Sequence, residues 1–409
     1  MRNSRIYIAS LICLFFLGAH ADSIHAQNSS LIYGTIVTKS GEDFEGFMRW
    51  GKEEMYWHDL FNAEKIQSDQ LRANKNNDSG GSWSGFDWDL SSLWKNKYSR
   101  STHLFSCQFG EIKSLYLKRG DDVSLEMKNG VQILLNGGSN DIGATINLHD
   151  YELGTVKINW NKIDEIHFKE APQNIQTPFS DALYGKVKTR RNGLFEGYIK
   201  WDLDERCGDD ILDGDNDYGD QKIPFKHIAS IIKDGNGSIV KTHKGKELFL
   251  DNSNDVDNGN RGIRVFDPNI GNIEISWKEF KQVDFINPNK AALGYSEYKA
   301  PKGIEALVIT HDDERIEGMI VYDIDEMWEI ETLDGKDDNI EYQIPFRNIR
   351  KIVPKNNSYS MVYLWCGEEY LLGGSQDVSD NNNGILIFTP HTKDARNIRW
   401  RDIDEIILK

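Results

Sequence analysis

Cysteine is scarce: four residues in 409, one of them, Cys13, inside an N-terminal apolar run. Cys107, Cys207 and Cys366 remain. Three thiols allow at most one bridge within the chain, so a disulfide framework is excluded and unpaired thiols are expected. No C-x-x-C occurs, and the scattered histidines form neither H-x-H nor H-E-x-x-H. No glycine-rich phosphate loop opens a helix, and no window carries a long capped helical stripe. Positive charge is also in deficit. Lys and Arg number 48 against 65 Asp and Glu, a net charge of −17. Such a surface repels phosphate backbones and anionic lipid, so nucleic acid is not an expected partner. The 39% hydrophobic and 11% aromatic content excludes a disordered tail, and it is too low for a polytopic membrane protein.

One apolar run stands out. Arg2 and Arg5 precede Ile6 to Ala19, and small residues follow. A basic head, a short apolar middle and a small-residue exit predict a secretory signal segment over 1–26, cut after Ala21 or Ala26. The run is short of the ~20 residues that span a bilayer, so no transmembrane anchor is expected after cleavage. The expected location is secreted, periplasmic or cell envelope.

Internal similarity is the strongest signal. Tyr33-Gly34-Thr35-Ile36 leads to Phe44-Glu45-Gly46 and Trp50. Tyr184-Gly185-Lys186-Val187 leads to Phe195-Glu196-Gly197 and Trp201. Leu307-Val308-Ile309 leads to Ile316-Glu317-Gly318 and Tyr322. An aromatic followed by apolar residues three and six positions later recurs twice per copy. The triplets are Phe109-Ile112-Leu115, Trp160-Ile163-Ile166, Phe225-Ile228-Ile231, Trp277-Phe280-Val283, Phe346-Ile349-Ile352 and Trp400-Ile403-Ile406. Spacing of three suits one 3₁₀ turn running into a strand. Alternating stretches such as Phe195 to Trp201, separated by Gly/Asn/Asp clusters, predict short antiparallel strands. The fold class is all-β, in three tandem repeats at 31–171, 182–288 and 303–409, each of two halves. The first carries an insertion at 66–105.

The half-unit resembles small barrels of the SH3 or Sm-like kind, in a meander with glycines at bends and a 3₁₀ turn before the last strand. Val187, Gly193, Gly197, Ile199, Trp201, Phe225, Ile228 and Ile231 carry the likeness. It implies two small antiparallel half-barrels per repeat and a binding rather than catalytic role, with no functional residue to transfer. The alternative architecture is a β-sandwich or an open β-repeat stack whose neighbours share a core.

Two stretches are candidate sites. The insertion places Trp83, Phe86, Trp88 and Trp94 in a Gly/Ser-rich loop, an aromatic platform for sugar rings or a partner's apolar patch. The second copy carries Asp213, Asp215, Asp217 and Asp220, alternate carboxylates of the sort Ca²⁺ takes, although Tyr218 and Pro224 break the helix-loop-helix calcium pattern. Asp255 and Asp377 sit in matching turns and are read as caps of backbone N–H groups. The repeated tryptophans are read as core, and Asp164-Glu165 and Asp404-Glu405 as solvent-facing. These features lead to a non-catalytic protein making protein or glycan contacts. The alternatives are a hydrolase, carbohydrate-active or otherwise, with an unrecognised carboxylate pair, and a Ca²⁺-stabilised structural surface module.

Overall fold

The computed structural model describes residues 29–65, 103–118, 120–137, 141–173, 175–191, 193–289, 291–389 and 395–409. The expected signal segment 1–26 and the aromatic cluster Trp83, Phe86, Trp88 and Trp94 lie outside these residues. Among the described residues, no helix is long and apolar enough to cross a membrane.

Strands and short 3₁₀ turns make up the regular structure. The first stretch holds β1 (Tyr33–Thr38), β2 (Asp43–Trp50), β3 (Leu60–Lys65), β4 (His103–Gln108), β5 (Ile112–Leu117), β6 (Val123–Met127), β7 (Gln132–Asn136), β8 (Ile146–Asp150), β9 (Gly154–Ile158) and β10 (Ile163–Phe168). The second holds β11 (Tyr184–Thr189), β12 (Leu194–Lys200), β13 (Ile211–Asn216), β14 (Gly219–Pro224), β15 (Ile228–Asp234), β16 (Gly237–Thr242), β17 (Glu247–Leu250), β18 (Ile263–Asp267), β19 (Gly271–Ile275) and β20 (Phe280–Phe285). The third holds β21 (Ile304–Thr310), β22 (Arg315–Tyr322), β23 (Thr332–Asp337), β24 (Ile340–Pro345), β25 (Ile349–Asn356), β26 (Tyr359–Leu364), β27 (Glu369–Gly373), β28 (Ile385–Phe388), β29 (Arg396–Ile398) and β30 (Ile403–Leu408).

Every pairing is antiparallel. The first stretch forms one sheet in the order β9-β8-β2-β1-β10-β5-β6-β7-β3-β4. The third pairs in the same order, from β29 through β22, β21 and β30 to β23 and β24. In the second, the β13–β14 hairpin is tied to the end of β17 only by the Asp215–Asp251 bridge. The edge strands β19 and β24 pair, so the second and third stretches share one sheet.

This order corrects the expectation of separate SH3/Sm-like half-barrels. The two halves of a stretch interleave: β1 and β2 come from one half but pair with β10 and β8 of the other. The sheets stay open, and no barrel closes among the described residues. One continuous apolar core runs through the second and third stretches. The first stretch has its own core, completed by Cys207, Tyr298, Trp328 and Ile330 from outside it.

All six aromatic-apolar-apolar triplets are buried. Five of their aromatics open a 3₁₀ turn, and Trp277 opens a hydrogen-bonded turn in which the Phe280 N–H reaches the Ser276 carbonyl at 3.0 Å. In such a turn, residues three apart lie over one another, so the aromatic and the first strand residue face one core. Trp50, Trp160, Trp201, Trp277 and Trp400 are likewise core, while Asp164 and Asp404 face solvent. Cys107 and Cys207 are buried and Cys366 is exposed, all as free thiols.

Candidate functional site

The loops after β2, β12 and β22 converge, and each is organised by one carboxylate nine residues beyond the aromatic at or just past the strand's end, Trp50, Trp201 or Tyr322. One Asp59 oxygen accepts the N–H groups of Met55 and Tyr56, both at 2.8 Å. Asp210 does the same for Arg206 and Cys207 at 2.7 and 2.9 Å. Glu331 does so for Met327 and Trp328 at 2.8 and 3.0 Å. The other oxygen takes a cation from a different stretch. Arg206 reaches Asp59, Arg49 reaches Asp210 at 2.9 Å, and Lys65 reaches Glu331. Burial works against the charge on Asp59 and Asp210, but their arginine partners outweigh it and hold both below the ordinary carboxylate range. His58 stacks between Tyr56 and Phe266, with ring centroids at 5.3 and 4.6 Å. Burial pushes its pKa down to about 3, so it is neutral at physiological pH.

Beside this junction lies a cavity of about 120 Å³ whose walls include Asp323, Asp325, Glu326, Glu331, Asp334 and Asp377. Asp323 and Ile324 both have positive φ, of 48° and 57°, and so do Asp202 and Leu203 in the matching loop, at 44° and 63°. A β-branched residue at positive φ is a strained conformation. Hydrogen bonds in both directions between Tyr322 and Glu326, at 2.8 and 2.9 Å, hold the loop closed. Lys65 reaches Asp325 at 3.0 Å. Burial, reinforced by neighbouring carboxylates, pushes Glu326 and Asp377 well above their ordinary range, and burial takes Asp334 up to about 6. The cavity thus favours neutral carboxyls over charged ones. It is well below the ~300 Å³ from which organic-ligand pockets start.

The outer face of the third stretch is different in character. Along β26, Ser360, Val362 and Leu364 turn inward while Tyr359, Met361 and Tyr363 face out, following the two-residue strand period. Leu371 on β27 and Val353 on β25 flank Met361 in register. Tyr359 and Leu371 are about half exposed, and so is Trp365 in the turn after β26. The result is an apolar and aromatic strip on a rigid three-strand meander.

The acidic candidates fall on the β13–β14 hairpin. Asp215 stands directly opposite Asp220, Asp213 opposite Lys222 at 3.4 Å, and Asp217 lies in the turn. Hydrogen bonding to Asp220 raises the pKa of Asp215. Asp215 and Asp220 are thus brought together, and Asp213 is drawn toward a lysine. Among the described residues, no group of three potential ligands is placed to hold a metal ion. Asp255 caps the Asp213 N–H at 2.7 Å and Asp377 caps the Asp334 N–H at 2.6 Å, across 42 and 43 residues rather than within their own turns. The converging carboxylates Asp59, Asp210 and Glu331 are absent from the sequence reading. Their signal is an acid at a fixed offset after Trp50, Trp201 and Tyr322, hidden because Asp and Glu alternate at that place. No protein-family model, curated protein or solved structure matches the chain.

Proposed function

We propose that this is a non-catalytic β-repeat protein, secreted or held in the cell envelope, that makes protein or glycan contacts through its outer surface. The observation that carries this reading is the strip of exposed Tyr359, Leu371 and Trp365 around half-buried Met361 on β26, β27 and their turn. Aromatics on a rigid sheet give contact area with little entropy loss, for sugar rings and apolar protein surfaces alike. The net charge of −17 and the basic, apolar N-terminal segment fit an extracytoplasmic, non-nucleic-acid role.

The test pairs a glycan array with binding to isolated envelope fractions, using the intact chain and the variants Trp365→Ala and Leu371→Asp. Both side chains are exposed, so folding should survive. The expected result is saturable binding that falls at least about tenfold in either variant, the loss typical of a contact worth over 1 kcal/mol. Turnover of glycosides or esters in a parallel panel, or binding indifferent to both variants, refutes the reading.

A further inference from the structure

The pairing of β19 with β24 shows how two edges of this fold recognise one another. Their register places Asn272 opposite Gln343, Ile273 opposite Tyr342, Glu274 opposite Glu341 and Ile275 opposite Ile340. The strand equivalent to β19 in the first stretch is β9, and the strand equivalent to β24 in the second is β14. Both occupy the same place in the pairing order, yet neither has a second partner among the described residues: β9 pairs only with β8, and β14 only with β13. The glycines that open the two strands make the difference plain. A Cβ at Gly271 would strike the Gln343 carbonyl of β24, whereas one at Gly154, also at positive φ, meets nothing within 4 Å. Thr155 and Lys157 are exposed where Asn272 is buried, and Asp220 and Lys222 on β14 are exposed too.

We infer that β9 of one molecule pairs edge to edge, antiparallel, with β14 of a second copy of this chain, in the register that β19 and β24 use within the molecule. Transferring that register sets Thr155 opposite Lys222, Val156 opposite Gln221, Lys157 opposite Asp220 and Ile158 opposite Gly219. Charge argues for this occupant. Asp220 stands across the hairpin from Asp215, and neither forms an ion pair among the described residues. An incoming Lys157 supplies the cation that the two facing carboxylates lack, and like charges opposite one another destabilise a sheet where opposite charges support it. At the internal β19–β24 junction the facing Glu274 and Glu341 are each neutralised from their own hairpin, by Arg264 and Lys336. Open edges are templates for strand addition. Because β9 and β14 are different edges of the molecule, the contact is heterologous and propagates head to tail into a ring or a filament. This assembly is independent of the outer-face contact proposed above, since it uses neither β26 nor β27.

The experiment uses the full chain with the exposed thiol removed (Cys366→Ser) and two cysteines introduced, Lys157→Cys and Asp220→Cys. Mild oxidation should give dimers and a higher ladder on non-reducing gels, more of it as protein concentration rises. Sedimentation of the chain without introduced cysteines should show concentration-dependent association. Asp220→Lys should weaken that association by about tenfold or more, as a like-charge contact at an interface does. Adding Lys157→Asp to Asp220→Lys reverses both charges and should restore it. A monomer at every concentration overturns the proposal. So does a cross-link confined to single molecules, or association indifferent to charge reversal.

Discussion

Asp141, Asp255 and Asp377 repeat one arrangement. Each accepts the N–H of a neighbouring strand residue, Asn62, Asp213 or Asp334, at 2.6 to 2.7 Å. The backbone carbonyl of each also accepts a hydrogen bond, from the indole N–H of Trp50 or Trp201 or from the Tyr322 hydroxyl. Burial pushes Asp141 and Asp255 up to about 6 and Asp377 well above its ordinary range. Unfolded aspartates titrate near 3.9, so between about pH 4 and 6 the native state binds more protons than the unfolded state, and stability falls as pH rises. Asp59 and Asp210 act in the opposite sense. Their folded values are depressed, so their contribution is present above about pH 3.9 and lost as pH falls through the folded values. Melting temperature should therefore peak between about pH 4 and 5 and decline on both sides. Asp255→Asn keeps an acceptor for the Asp213 N–H and removes one titration. Thermal melts of this variant should show a shallower decline toward neutral pH, and an unchanged slope would contradict the assignment.

Single strands and turns were the legible part of the sequence. The aromatic-apolar-apolar triplets could be read because the constraint is local: a 3₁₀ turn forces residues three apart onto one side. The Phe-Glu-Gly motif was visible, but its cause was not. Gly46, Gly197 and Gly318 are the points where the neighbouring strand's backbone lies closest. An added Cβ would strike the carbonyl oxygens of His149, Phe266 and Phe388 respectively. Those neighbours lie about 70 to 100 residues downstream, beyond any local pattern. The same distance hid the insertion of β10 between β1 and β5, and with it the merging of the halves. Of the candidate site, a capping role for Asp255 and Asp377 was legible, but their partners, 42 and 43 residues away, were not. The outer strip was not, because facing out or in depends on which side the core lies. Gly197→Ala should cost about 1–3 kcal/mol through backbone displacement, the range for overpacking a filled site. Urea unfolding should show a lower midpoint with little change in slope, and a loss under about 0.5 kcal/mol would show that the strands can separate freely there.

The whole molecule is tied together by charges exchanged between stretches. Arg49 of the first reaches Asp210 of the second, while Arg206 of the second reaches Asp59 of the first. Lys200 of the second reaches Glu53 and Glu54 at 3.1 and 2.9 Å, and Arg347 of the third reaches Glu111, also at an ion-pair distance. Such buried pairs add little net stability over apolar packing, yet removing one partner strands the other in a dry site. Their use here is to fix how the stretches dock, since a misplaced neighbour leaves Asp59 or Glu111 buried without its cation. Arg206→Met should therefore cost about 3–5 kcal/mol and lower the cooperativity of unfolding, because Asp59 is left in a dry site without its cation while it still caps Met55 and Tyr56. Arg206→Met combined with Asp59→Asn removes both charges and keeps an acceptor for the two N–H groups, so it should recover more than half of that loss. A double-mutant cycle measured by denaturant unfolding reads this coupling directly. If the two substitutions add with no interaction energy, the Arg206–Asp59 pair does not help dock the first stretch on the second, and the remaining ion pairs and the packing of Cys207 into the first core must hold that junction.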